Sequence, residues 1–250
     1  MITIKKKFGF TSATIVFDDE KIKELAVTKP YSSITAVSYH ELNLPGFRVK
    51  SKPTSLIDLT IPETEIFRRF SDTTRNEIHR AERNPDLVFR APDPDFTPSY
   101  QVYTAFEHSQ GRAAFAKTDM KIYQVFGAYY KGEFISGLYV TASAPYLRVR
   151  SIFSKRLNVE DKEMQKIISN ATRGVIWEIC KWGKANNYVS LDLASVNDTN
   201  PKSAAIAKFK LSFGGPIMPE YTYIYESTAF RLAVRIIPLL NYLKKIFRFS

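Results

Sequence analysis

Residues 186–215, NNYVSLDLASVNDTNPKSAAIAKFKLSFGG, hold the signals for a strand, a polar loop and a capped helix in close succession. Apolar and polar residues alternate over 188–194, which is the period of a half-buried strand. Asn200 and Pro201 predict a helix start, because asparagine caps helix N-termini and proline is favoured at the first helical position. The glycines at 214–215 end this helix. The stretch therefore predicts a strand that leads through a polar loop into a helix.

The predicted helix carries two lysines that are not equivalent. At about 100° per residue, Ile206, Phe209 and Phe213 fall on one apolar stripe. Lys208 falls nearly opposite the stripe and is expected in solvent, whereas Lys210 falls about 40° from Ile206, at the stripe's edge. A charge there needs a partner or a cavity, which makes Lys210 a candidate functional residue. The alternative, a core-helix lysine that only extends its charged end to solvent, stays open.

Charged residues on two further predicted strands are also candidates. Arg148 and Arg150 alternate with apolar residues over 146–153, so both guanidinium groups are expected on one face. Paired arginines suit a phosphate or carboxylate ligand, and an ion pair with an acid from a covering helix is the alternative. Asp192 lies on the face of its strand opposite the leucines. It is a candidate general base, or a cap for a neighbouring loop.

The composition indicates a folded, strongly basic protein. Of 250 residues 44% are hydrophobic, and a net charge of +11 implies anionic partners such as phosphates, RNA or acidic lipid. The single cysteine, Cys180, excludes an intramolecular disulfide and lies on an apolar stripe, so we expect it to be buried. No secretory signal and no membrane-spanning run is visible, which favours a cytoplasmic protein. The histidines show no ligand spacing, so neither a metal site nor a catalytic triad is expected; they are His40, His79 and His108.

The segment with an acid on the strand, a polar loop and a helix ending in FKLSFGG, followed by a tyrosine-rich strand at 219–225, resembles the C-terminal half of the Fem-like acyltransferases. These form a branch of the GNAT superfamily that includes the FemABX peptidyltransferases of peptidoglycan cross-bridges. Residues 56–84 and 129–154 resemble the family's strand–helix pair and central strand pair. The resemblance covers roughly residues 56–226. It implies an α/β fold, with a mixed central sheet flanked by helices and a reduced N-terminal lobe.

Three parts are expected along the chain: a small β-rich part at 1–55, the acyltransferase domain at 56–228 and a basic amphipathic tail at 229–250. Two stretches with proline, 43–55 and 91–98, are expected to be irregular. The further predicted elements are strands at 12–17, 33–39, 125–130, 134–142 and 146–153 and helices at 62–84, 100–108 and 161–186.

The resemblance also implies a site. An acyl donor enters a gap between two splayed parallel strands, and an amine or hydroxyl attacks it directly, with positioning and oxyanion stabilisation in place of a covalent intermediate. Lys210 then lies beside the transfer centre and Phe209 shapes the slot. Phe213 is a further candidate for this slot, and Tyr139 is a candidate proton donor to the leaving group. For both aromatic residues a place in the core is the alternative.

The donor and the acceptor stay open at this stage. No glycine-rich pyrophosphate loop occurs between Ser154 and Thr172, which disfavours a conventional coenzyme A site. The candidate donors are acyl-coenzyme A, an acyl carrier and aminoacyl-tRNA, and no metal is expected. The candidate acceptor is an amino group of a cell-envelope or surface-polysaccharide precursor. This precursor is a sugar or a peptide, and it is either free or lipid-linked. The alternative function is a non-catalytic basic module that binds RNA or an anionic membrane surface.

The tail at 229–250 holds five lysines and arginines and no acid among dense apolar residues. Such a segment is typical of peripheral binding to an anionic membrane surface, here the inner face of the membrane. Packing on the domain or on a second subunit is the alternative. Removal of the tail is expected to abolish binding to anionic liposomes.

Overall fold

The computed structural model describes residues 2–7, 9–234 and 236, apart from the side chain of Lys7. It divides into two compact units: Pro53–Met218 forms one, and the described residues before and after it form the other. Most of the tail at 229–250 lies outside the described residues, although residues 228–234 are helical. No helix in the described part of the chain is long and apolar enough to span a membrane.

The N-terminal unit is a small mixed sheet with one helix, α1 (Asp19–Thr28), packed on it. Its strands, in sheet order, are β1 (Ile2–Lys7), β2 (Phe10–Val16), β3 (Ser33–Ser38) and the larger part of β10 (Ile217–Glu226). β2 and β3 run parallel, and the other pairs are antiparallel. Ile15, Ile22 and Ile34 form its core. The strands predicted at 12–17 and 33–39 are therefore confirmed.

The second unit is a larger mixed sheet with helices on both faces, which confirms the predicted α/β class. Its strands, in sheet order, are β4 (Arg48–Asp58, from Pro53 onward), β9 (Ser190–Ser195), β8 (Tyr146–Ser154), β7 (Glu133–Ser143), β6 (Gln124–Tyr130) and β5 (Leu87–Arg90). Only β8 and β9 are parallel neighbours here. The helices are α2 (Glu63–Arg69), α3 (Asp72–Glu82), α4 (Phe96–Ser109), α5 (Lys117–Met120), α6 (Lys162–Ala185) and α7 (Pro201–Leu211).

The alternation of side chains along β7 assigns the helices to the two faces of this sheet. Leu138 and Val140 belong to the apolar cluster that contains Ile176 of α6. Tyr139, between them in sequence, belongs to the cluster that contains Tyr103 of α4. Successive residues of a strand point to opposite faces. α6 therefore covers one face and α4 the other.

Three predicted elements differ from the structure, each for a local reason. The helix predicted at 62–84 is divided into α2 and α3, because Phe70 is extended and the Ser71 side chain caps α3 by accepting the Thr74 N–H. The helix α4 begins within the stretch predicted to be irregular, where Asp95 caps it. The prediction of irregular structure at 43–55 is confirmed for residues 43–47 and wrong from Arg48 onward, where β4 begins. The long helix α6 is continuous, and Cys180 on it is buried as expected.

The glycine that follows α7 holds a conformation that other residues rarely adopt. Gly214 has φ +67°, and a Cβ atom added to it overlaps the carbonyl oxygen of Arg69. We expect Gly214→Ala to lower the free energy of unfolding by about 2–3 kcal/mol in urea titrations, through backbone strain and the steric overlap. Gly132→Ala is the matched control, since Gly132 has φ +81° but open space around it. Equal losses in the two variants would show that the close approach to Arg69 contributes nothing.

Candidate active-site cleft

The two parallel strands β8 and β9 pair over only three residues each, from Tyr146 opposite Ser190 to Arg148 opposite Asp192. Beyond this point residues of both strands, including Val149 on β8, line a cavity of about 690 Å³. Small-molecule sites typically have volumes of about 300–1,000 Å³. The predicted gap between the strands 146–153 and 188–194 is therefore present as a cavity of ligand size.

Two backbone irregularities lie where the strands separate. The pairing of β8 with β7 shifts register so that Arg150 has no direct partner, between Val149 and Ser151. Such a bulge bends its strand. On β9, Ala194 has φ +63°, in the left-handed region, and its N–H donates to the Asp192 carboxylate at 2.7 Å. Both strands thus leave regular extended geometry at the mouth of the gap.

The cavity is lined from both faces of the sheet. Thr172 and Arg173 come from α6 on one face, and Phe106 and Arg112 come from the end of α4 and the residues after it on the other. Residues of α7 complete the wall beside β9. A ligand in this cavity is thus accessible to groups from both sides of the sheet.

Lys210 and Phe209 both line this cavity, at the end of α7. The Lys210 ammonium donates to the carbonyl oxygen of Ser195, at the end of β9, at 2.8 Å, and the side chain is half-buried. Lys208 is exposed, as expected. The predicted place of Ile206 on a buried apolar stripe is wrong. Its side of α7 faces the cavity rather than the core, and the residue is 48% exposed.

Arg148 and Asp192 lie below the cavity, where the strands still pair, and neither lines it. Asp192 is fully buried, and its carboxylate accepts from the Thr54 hydroxyl and the Ala194 N–H. Arg148 Nη1 lies 3.6 Å from Asp192 Oδ2. An acid on the neighbouring strand therefore lies within ion-pair distance of Arg148, whereas the sequence alternative placed such an acid on a covering helix. This buried cluster holds together the point from which the two strands diverge.

Arg150 has different surroundings from Arg148. It lines the cavity, and its guanidinium lies 4.8 Å from the centroid of the exposed Phe115 ring. The bulge at Arg150 allows this, because it lengthens β8 by one residue relative to β7. Of the predicted arginine pair, only Arg150 is positioned to meet a ligand in the cavity.

The two remaining candidates, Tyr139 and Phe213, are core residues that do not line the cavity. The Tyr139 hydroxyl lies 3.3 Å from Ser99 Oγ, and burial raises the pKa of this hydroxyl. Phe213 is fully buried and packs edge-on against Phe70, with ring centroids 5.2 Å apart. For both residues the structure agrees with the core alternative.

The sequence interpretation missed an ion pair inside the cavity. Arg173 Nη1 lies 2.7 Å from Glu77 Oε2, and the Arg173 guanidinium lies 4.9 Å from the centroid of the Phe209 ring. The sequence contained a signal for this charge, because Arg173 lies three residues before Ile176 and seven before Cys180, on the apolar stripe of α6. The described residues contain no group of three or more histidine, cysteine or acidic side chains able to hold a metal ion.

No family model and no curated protein matches the chain. Solved structures are similar over most of its length. FemX has a TM-score of 0.65 at 11% identity, with 92% of this chain and 85% of FemX covered. The lysylphosphatidylglycerol synthetase (L-PGS) of Bacillus licheniformis has a TM-score of 0.56 at 15% identity, with 91% and 81% covered. The C-terminal domain (DUF2156) of a putative lysylphosphatidylglycerol synthetase from Agrobacterium fabrum has a TM-score of 0.55 at 13% identity, with 96% and 85% covered. The chain therefore has the GNAT fold in the form seen in FemX, as the helix ending in FKLSFGG predicted.

Proposed function

We propose that this protein is an N-acyltransferase that moves an acyl or aminoacyl group onto an amino group of a cell-envelope or surface-polysaccharide precursor. The observation that carries the proposal is the position of Phe209 and Lys210. Both line the cavity that opens where β8 and β9 separate, within a fold shared with FemX.

In this proposal the donor's acyl group lies in the gap, and the acceptor amine attacks its carbonyl carbon directly. A C–N bond forms, the bond from the acyl carbon to the donor's oxygen or sulfur breaks, and the proton that the amine loses protonates the leaving group through solvent. Negative charge then develops on the acyl oxygen and on the leaving group. Lys210 supplies a fixed positive charge for it, because its bond to the Ser195 carbonyl holds the ammonium at the cavity wall. Asp192 contributes as a positioning residue, since it fixes the Ala194 N–H and Arg148 at the point of strand divergence.

The envelope acceptor is supported by the structural similarity to L-PGS of Bacillus licheniformis and to the C-terminal domain of a putative lysylphosphatidylglycerol synthetase. We propose that the acceptor is a sugar or a peptide, either free or lipid-linked. We also propose that the protein attaches peripherally to the inner face of the membrane. The net charge of +11 is consistent with an anionic surface or an anionic donor.

The test is mass spectrometry of envelope precursors from cells that lack the gene and from the same cells complemented with the wild type or with Lys210→Met. We expect a mass increment of one acyl or aminoacyl group that only the wild type restores. Identical precursors in all three strains would contradict the proposed acyltransferase activity. Binding of RNA or anionic liposomes by a protein that transfers nothing would favour the alternative, a non-catalytic basic module.

Free coenzyme A is expected to bind weakly, with a dissociation constant of about 1 mM or more. The connection between β8 and α6 (residues 155–161) contains no glycine, so it cannot form the close main-chain cradle of a glycine-rich pyrophosphate loop. Isothermal titration calorimetry with coenzyme A measures this. A micromolar dissociation constant would instead identify an ordinary acyl-coenzyme A enzyme.

A further inference from the structure

The cavity between β8 and β9 is strongly cationic. Among the residues that the structure describes, one carboxylate lines it, that of Glu77. A concave site with an excess of one charge attracts ligands of the opposite charge and repels those of the same charge. The cations that line it are Arg112, Arg150, Arg156, Arg173, Lys202 and Lys210.

These cations differ in how they are neutralised. Arg112 makes two hydrogen bonds to the Glu107 carboxylate, at 2.6 and 3.0 Å. The Lys202 ammonium donates to the neutral amide oxygen of Gln110 at 2.6 Å. Arg156 is exposed, and no carboxylate of the described residues lies within ion-pair distance of it. Arg156 therefore brings uncompensated charge to the cavity.

Arg156 and Arg173 line the same cavity, and the turn that carries Arg156, Lys155–Asn158, packs against α6, which carries Arg173. Burial lowers the pKa of the Arg173 guanidinium, Glu77 opposes this shift, and the positive charge of Arg156 lowers the pKa further. Arg173 Nε is also buried without a hydrogen-bond partner. Two guanidinium groups that repel each other beside one carboxylate are stabilised when an anion binds between them.

We propose that Arg156 and Arg173 form a phosphate subsite that binds a nucleotide phosphate of the acyl donor through guanidinium side chains. The inference rests on the proposed function for the identity of the ligand as a donor. Arg156 lies on the 3₁₀ turn Lys155–Asn158 directly after β8, and Arg173 lies on the wall formed by α6. The planar fork of arginine matches phosphate oxygens and supplies here the N–H donors that a glycine-rich loop would supply from the main chain. The Phe209 ring lies beside Arg173 and precedes Lys210 in the cavity wall. In this proposal it therefore separates the phosphate subsite from the acyl position near Lys210.

The first experiment is calorimetry of the full chain with inorganic pyrophosphate. We expect Arg156→Gln to weaken binding about tenfold, the scale of one lost hydrogen bond to a charged group. Lys166→Gln is the matched control, because Lys166 lies on the exposed side of α6 and pairs with Glu163 outside the cavity. It should change the affinity by less than about twofold.

Two further variants keep the test independent of folding defects. Arg173→Gln should also weaken binding, and it is interpreted only if its unfolding curve matches the wild type. Glu77→Gln should change affinity in the opposite direction, to about threefold tighter or more, since it removes the carboxylate that competes with the ligand. No pyrophosphate binding by the wild type at millimolar concentration, or equal binding by wild type and Arg156→Gln, would overturn the subsite.

Two sources of the phosphate are distinguished by repeating the titration with coenzyme A and with a short RNA hairpin that ends in CCA. Loss of affinity in Arg156→Gln for either ligand supports the subsite and identifies its source, and we expect the RNA to bind more tightly. Unchanged affinity for both contradicts the subsite.

The titrations need no turnover, so the two proposals fail separately. A protein that binds pyrophosphate through Arg156 but transfers nothing contradicts the function alone. A protein that transfers acyl groups while Arg156→Gln binds normally contradicts the subsite alone.

Discussion

Replacing Asp192 by alanine is expected to lower the free energy of unfolding by about 3–5 kcal/mol, the cost of removing one partner of a buried ion pair. The substitution leaves the largely buried Arg148 guanidinium without this carboxylate. It also removes the acceptor for the Thr54 hydroxyl and for the Ala194 N–H. Urea unfolding followed by far-ultraviolet circular dichroism measures the loss.

Asp198→Ala is the control for this experiment, since Asp198 is an exposed acid in the loop after β9 and should cost less than about 0.5 kcal/mol. Asp192→Asn should cost less than Asp192→Ala, because an amide oxygen can still accept the Ala194 N–H. A loss below about 1 kcal/mol for Asp192→Ala would show that the cluster at the point of strand divergence contributes little to stability.

The largest expected effect on activity is that of Lys210→Met, which should lower kcat and kcat/KM of the proposed transfer together by about 10²–10³-fold. Methionine keeps an apolar side chain of similar length but removes the charge that the proposal places beside the acyl oxygen. The measurement is the rate of transfer from the donor that the precursor analysis identifies.

Lys208→Met is the matched control, two residues earlier on the exposed side of the same helix. It should leave the rate within about twofold, because it removes a solvated charge. A rate for Lys210→Met that is close to the control would mean that Lys210 only bonds the Ser195 carbonyl and extends its ammonium to solvent.

The sequence by itself determined the features that depend on neighbouring residues. Alternating hydrophobicity predicted β8, the apolar stripe predicted α6, and Asn200 with Pro201 predicted the start of α7, where Asn200 and Ser203 form reciprocal caps. These signals act over one turn of helix or two residues of strand, so a linear pattern contains them. The fold itself was predicted from a family resemblance that three such local segments carried: residues 56–84, residues 129–154 and the helix ending in FKLSFGG.

Only the tertiary structure decided which charges meet. Asp192 contacts Thr54, 138 residues away in sequence, and Arg148 through the parallel pairing of β8 and β9 across the α6 crossover. The bulge beside Arg150 separated two arginines that alternation alone placed together. The register of strands that are distant in sequence and the packing of α3 against α6 bring these charged side chains to their partners. The hydrophobic periodicity of the sequence contains no information about either. β8 and β9 separate where their hydrogen bonds end, and this separation creates the cavity. The tertiary structure therefore decided which side of α7 faces the cavity and which cations line it.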